Sequence, residues 1–197
     1  MAQAVRVHNF MVSSDGYGSG AGQSFEHPFG HANPADLFFW AGATANWVNR
    51  TEPGGTYGLD DYCTRDFSRN IGAEIMGRNK FGPQRGPWEN LDWQGWWGDD
   101  TPFHTPVFVL THHIRPSITL GDTTFHFLNA SPHDALAQAF EAADGKDVRI
   151  GGCACRTWPR GKTVEQPERS CRTFLLGIGT QLEWRDASLF LATLTVK

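Results

Sequence analysis

The sequence predicts an α/β fold: a mostly parallel central sheet flanked by helices. Three observations carry that reading. Short apolar runs, VFVLT at 107–111 and IGAEIM at 71–76, lack polar alternation, as strands buried on both faces do. Two helix starts are marked by a capping residue followed by proline, at Asn33-Pro34 and Ser131-Pro132. Strands and helices also alternate along the chain, the pattern of strand–helix–strand crossovers.

The elements follow in order. Residues 4–12 (AVRVHNFMV) read as a strand halted by the turn signal Ser13-Ser14-Asp15-Gly16. The Gly-rich stretch 17–33 is a long loop, and a helix is expected over 34–48. Loop returns at 50–61, then a short helix over 62–69 and a strand over 71–76. The segment 81–106 carries Pro83, Pro87, Pro102 and Pro106 together with Trp88, Trp93, Trp96 and Trp97. It has no clear element, and such long stretches usually mark a functional or packed surface loop. Strands follow at 107–111 and 123–128, a helix from Pro132 stopped by Gly145, and a strand at 148–150 ending in Gly151-Gly152.

A chain of 197 residues fits one domain, 1–197, and can bury a full core unaided. Its formal charge of −4 argues against a nucleic-acid partner, so an anionic ligand would need local positive charge. No apolar run approaches the length of a membrane span, and the first residues lack a secretion-signal layout. Cys63, Cys153, Cys155 and Cys171 have no paired zinc spacing; no metal is expected, and the thiols read as reduced and cytoplasmic.

In open parallel sheets, ligands bind outside the carboxyl ends of the strands. Three such ends carry suggestive residues: Gly77-Arg78-Asn79, Thr111-His112-His113 and Gly151-Gly152. A glycine there lets backbone approach a ligand, and Arg78 offers a fork of donors suited to phosphate. Adjacent histidines on extended backbone point to opposite sides, which disfavours a shared metal; two imidazoles near a phosphate is the better functional reading. A Gly-Gly pair after a strand is half of a pyrophosphate cradle. Each motif alone is matched by a plain alternative, a turn with a solvated side chain. Only together do they point to a nucleotide.

Read in order, these residues resemble the dihydrofolate reductase family, in particular the reductase domain of the bacterial riboflavin-biosynthesis deaminase–reductase. The resemblance rests on HNFMVSSDGYGSGAGQSFEHPFG (8–30), NIGAEIMGRNKFGPQRGPW (70–88), WWGDDTPFHTPVFVLTHHIRP (96–116), TTFHF (123–127) and KDVRIGG (146–152). It covers most of 4–152 and implies a dihydrofolate-reductase-like domain with an NADPH site. Gly77, Arg78 and Asn79 then surround the adenosine ribose phosphate, Thr111, His112 and His113 flank the adenine half, and Gly151 and Gly152 underlie the pyrophosphate. Asp15, Gly16 and Tyr17 fall where a mobile loop closes over the nicotinamide. Arg78 with the histidines argues for the phosphorylated cofactor over NAD.

The implied activity is NADPH-dependent hydride transfer to a C=N or C=O group of a small heterocyclic or ribosylamino-pyrimidine-type substrate, as in riboflavin-pathway reductases. A folate-type substrate would need a carboxylate on the first helix; Asp36 is placed for that, though an acid there also complements the helix dipole. Asp15 and Asp36 are thus the catalytic candidates, and Glu26 and His27 the further substrate-side ones. A homodimer is expected by the same resemblance. Two other readings stand beside it: a nucleotide-binding relic without turnover, and a scaffold protein that uses the Trp-rich loop 88–97 as an interaction surface.

After Gly152 the resemblance stops. Residues 156–172 are polar and charged, with Pro159 and Gly161 where a helix would run. Apolar runs return only at 174–178 and 189–196. A change of coding frame or exon order just after Gly152 would account for this tail, 153–197; a diverged but folded tail is the alternative reading.

Overall fold

The computed structural model describes residues 3–7, 18–48, 53–83 and 85–151. Six strands form one mixed sheet: β1 (Val5–Arg6), β2 (Ile71–Gly77), β3 (Val107–Leu110), β4 (Ile118–Leu120), β5 (Thr123–Leu128) and β6 (Asp147–Gly151). Their order across the sheet is β1-β6-β2-β3-β5-β4, and every pairing is parallel except the β4–β5 hairpin at one edge. The chain therefore has an α/β architecture with a mostly parallel sheet. The predicted strand 4–12 is described only as far as Val7, and Asp15, Gly16, Tyr17, Gly152 and the tail 153–197 lie outside the described residues.

Helices α1 (Pro34–Gly42), α2 (Ala45–Val48) and α3 (Leu59–Arg65) precede β2. Asn33 caps α1, its side chain accepting from the Ala35 amide at 3.1 Å. The helix expected over 34–48 is broken in two at residues 43–44. There the backbone pairs with Thr56 instead: Thr56 donates to Ala43 O at 2.8 Å and accepts from the Ala45 amide at 2.9 Å. The buried Thr44 hydroxyl donates to Ala41 O at 2.7 Å, a local bond that competes with helix continuation.

The short helix placed at 62–69 lies instead at 59–65. Asp60 and Asp61 sit in its first turn, where acids complement the dipole, and Asp61 also accepts from the Asn46 amide and pairs with Arg65. Two elements went unread: α4 (Arg78–Phe81), a single turn directly after β2, and the three-residue strand β4. Helix α5 (Pro132–Ala142) begins as its sequence signal predicts. The Ser131 hydroxyl accepts from the Asp134 amide at 3.1 Å and donates to its carboxylate at 2.6 Å.

Each face of the sheet has its own core. On one, Ala73, Ile75, Phe108 and Val148 pack against Ala139 and Ala143 of α5. On the other, Met76, Val107, Val109, Phe125 and Phe127 meet Phe81 and Phe103, and Trp88, Trp93 and Trp97 close over them. Trp97 lies nearly parallel to Phe125, with centroids 5.8 Å apart. The Trp-rich loop thus covers this face, as a packed surface loop. Trp88, Trp93 and Trp97 pack against this core and are partly buried.

Candidate functional site

Parallel pairing puts the carboxyl ends of β6, β2 and β3 side by side. Met76 is in register with Gly151, and Gly77 with Leu110. Gly77-Arg78-Asn79, Thr111-His112-His113 and Gly151 therefore emerge on one edge of the sheet. The three strand ends singled out in the sequence are neighbours.

Gly77 and Gly151 are glycines for different reasons. Gly77 has φ −77°, which any residue adopts, and a Cβ built on it would meet nothing within 4 Å. The protein itself does not require a glycine there; the open space in front of it faces outward. A Cβ on Gly151 would overlap the Glu74 carboxylate and the Lys80 ammonium. Its missing side chain is filled from inside the protein, so close approach of a ligand is not the reason for this glycine.

Arg78 does not point into water. Its guanidinium lies over the Trp88 ring, 3.8 Å from the centroid, and donates through Nη1 to Gly86 O. Arg115 approaches the same ring at 5.0 Å and donates to Trp93 O at 3.0 Å and to Leu91 O. Burial lowers the pKa of both guanidinium groups from the ordinary value; at Arg115 the nearby Asp92 carboxylate opposes this and the Arg78 charge adds to it. Both stay charged at any working pH. Among the described residues, Arg78 Nε, Arg78 Nη2 and Arg115 Nε are buried with no hydrogen-bond partner. Three orphan donors on two adjacent cations are costly to leave unmade, and an anion is the group that would satisfy them.

Beside this pair opens a cleft of about 480 Å³ lined by Pro87, Trp88, Leu91, His112, His113 and Arg115, among others. Both histidines are exposed at its rim. Thr111 is buried, and its hydroxyl is engaged in the turn: it donates to His113 O at 3.2 Å and accepts from the His113 amide at 3.1 Å. It shapes the segment rather than presenting a hydroxyl outward. The Trp88 indole N–H donates to His113 O, tying the Trp-rich loop to the same segment.

Asn79 donates to Gln23 Oε1 at 2.9 Å and so joins the loop before α1 to the edge. In that loop Phe25 packs against Trp93, with ring centroids 4.5 Å apart. Glu26 and His27 follow it and stay exposed. The Glu26 pKa is lowered by a backbone hydrogen bond within the residue and by the Ser24 hydroxyl at 2.9 Å. Asp36 lies in the first turn of α1 and is also exposed. Among the described residues, the hydrogen bonds and ion pairs of Glu26 and His27 run within their own loop and not to the Arg78–Trp88–Arg115 cluster.

Three participants were not singled out in the sequence. Arg115 follows THHI in a segment whose histidines drew attention first. Glu74 and Arg149 sit inside strands that read as apolar, in register with each other across β2 and β6. Their alternation with Ala73, Ile75, Val148 and Ile150 is the signal that could have found them, because it puts both on one face of the sheet.

Among the described residues no group of three His, Cys, Asp or Glu side chains could hold a metal ion, and no helix is long and apolar enough to cross a membrane. The chain matches no family model and no curated protein.

Proposed function

We propose that this chain is an NADPH-dependent reductase with a dihydrofolate-reductase-like fold. The observation that carries the reading is the cluster of unsatisfied guanidinium donors at the carboxyl edge, next to a glycine that the protein's own packing leaves open. A phosphate on an adenosine ribose fits that chemistry: it accepts from the forks of Arg78 and Arg115, and its sugar approaches the Gly77 backbone. The Trp88 ring holds both guanidinium planes in place and limits their rotamer freedom.

The nicotinamide, when bound, supplies the hydride; the protein contributes binding, orientation and exclusion of water. The cleft beside His112, His113 and Trp88 is a suitable resting place for an adenine ring, flat and partly apolar. The substrate class is a small heterocycle of the ribosylamino-pyrimidine type, by the sequence resemblance. Glu26, His27 and Asp36 remain its possible contacts on the loop and helix before β2, and Asp15 with Gly16 and Tyr17 its nicotinamide-side neighbours. A relic that binds the cofactor without turnover shares the same edge and differs only in activity.

Tryptophan fluorescence tests binding directly, because Trp88 sits in the proposed phosphate site. NADPH should quench it with saturation, and NADH should need a much higher concentration. Loss of the reduced-nicotinamide absorbance with a ribosylamino-pyrimidine then separates a reductase from a relic. Equal responses to NADPH and NADH would contradict the proposed site.

A further inference from the structure

A second surface stands apart from the carboxyl edge. Helix α3 leads into β2 at its amino-terminal end, Ile71, whereas Arg78 follows the carboxyl end. Leu59 and Tyr62 lie three residues apart on α3, so they share one side of the helix, and Arg65 continues that side. Tyr57, just ahead of the helix, turns back to it: the Arg65 guanidinium lies 5.9 Å from the centre of its ring. These four side chains are contiguous. The opposite side of α3, with Asp61, Cys63 and Thr64, is buried.

The patch faces solvent although it is largely apolar. Tyr57 is 75% exposed, Leu59 73% and Tyr62 61%. Together they hold on the order of 400 Å² of accessible side-chain surface, within the size range of the largest apolar patch on a typical monomer. Arg65 is pinned from below: it donates to Asp61, and Asp61 also accepts from the Asn46 amide at 2.7 Å. A guanidinium already fixed loses little freedom when a partner covers it. Its charge is balanced by the buried Asp61 carboxylate, so two such patches meet without net repulsion.

We propose that this face of α3 is the contact between two copies of the chain. Self-complementarity points to a second copy as the occupant: the patch carries both a fixed guanidinium and two aromatic rings, and each is what the other binds. A two-fold axis at Tyr62 lays α3 antiparallel on its counterpart. Leu59 of each copy then meets the methylene stem of Arg65 in the other, and the guanidinium reaches the other copy's tyrosines. Tyrosine and arginine are also the residue types that dominate interface energies. The apolar core is about half of the roughly 800 Å² that a stable interface buries on each side, so association falls in the micromolar range. Where the sequence resemblance implies only that two copies pair, this surface assigns the residues. It rests on no part of the reductase reading.

The test is sedimentation velocity of the full chain from about 5 to 200 µM, with L59K, Y62K and T119K beside it. Thr119 lies on the edge strand β4, a second surface through which copies of a sheet protein can pair. The wild type should shift from monomer toward dimer over that range. L59K and Y62K should weaken association about tenfold or more, and T119K should leave it within about twofold. A wild type that stays monomeric at the highest concentration overturns the proposal. So does a dimer that L59K and Y62K leave intact, or one that T119K abolishes. If neither L59K nor Y62K folds, the Leu59 methyl resonances of the wild type with ¹³C-labelled leucine methyls decide: they must shift with concentration, and unmoved resonances overturn the proposal.

Discussion

At the scale of single residues, Gly77 and Gly151 contrast an open position with one that packing fills. Gly77→Ala adds a methyl to open space at an ordinary φ, so the melting temperature should stay within a degree or two of wild type while NADPH affinity falls. Gly151→Ala pushes into the Glu74–Lys80 pair and should destabilise by about 1–3 kcal/mol, read by urea denaturation. Equal stability losses in both variants would mean that Gly77 too is held by packing. Arg78→Met should weaken NADPH about 10- to 100-fold and leave NADH nearly unchanged, because only one cofactor carries the extra phosphate. The Arg78 motif was legible in the sequence as a glycine and a permanent charge ending an apolar run. Its stacking on Trp88 was not, since nine residues separate them, the rest of α4 and a stretch of loop, and no periodicity links them.

At the scale of elements, strands and capped helices were readable wherever a local rule decides. Ser131-Pro132 begins α5, and VFVL and IGAEIM form the central strands. The misplaced boundaries arise where long-range bonds override local preference, as at Thr44, where pairing with Thr56 interrupts the first helix. Glu74 lies within a strand that reads as apolar, so its partner could be known only from the register of β2 with β6. Removing it by Glu74→Ala strands the Arg149 charge and should cost about 3–5 kcal/mol in urea denaturation; a loss below about 1 kcal/mol would mean the pair is hydrated.

The β1–β6 pairing has its own pH signature. Burial raises the Asp147 pKa, but the Ala4 amide, Asn70 and Arg6 outweigh it and hold the carboxyl below its ordinary value of 3.8. A depressed folded-state pKa gives stability that is complete above the unfolded value and lost as pH falls through the folded one. Asp147→Asn should therefore narrow its stability gap to wild type as pH drops below about 4, measured as unfolding free energy against pH. A gap independent of pH would assign the loss to packing.

At the scale of the whole molecule, an overall charge of −4 coexists with one edge that gathers Arg78, Arg115 and Lys80. Parallel strand order creates that edge, by bringing to one side residues far apart in the chain. The Trp-rich loop serves both ends of the design: Trp93 and Trp97 close the core, and Trp88 orients the two guanidinium groups. The most direct measurement is the ratio of NADPH to NADH dissociation constants, by tryptophan fluorescence, in wild type and in Arg78→Met. A phosphate seated on the paired arginines predicts a wild-type preference for NADPH of at least about tenfold that collapses toward unity in the variant. A preference absent from the wild type, or intact in Arg78→Met, would contradict it.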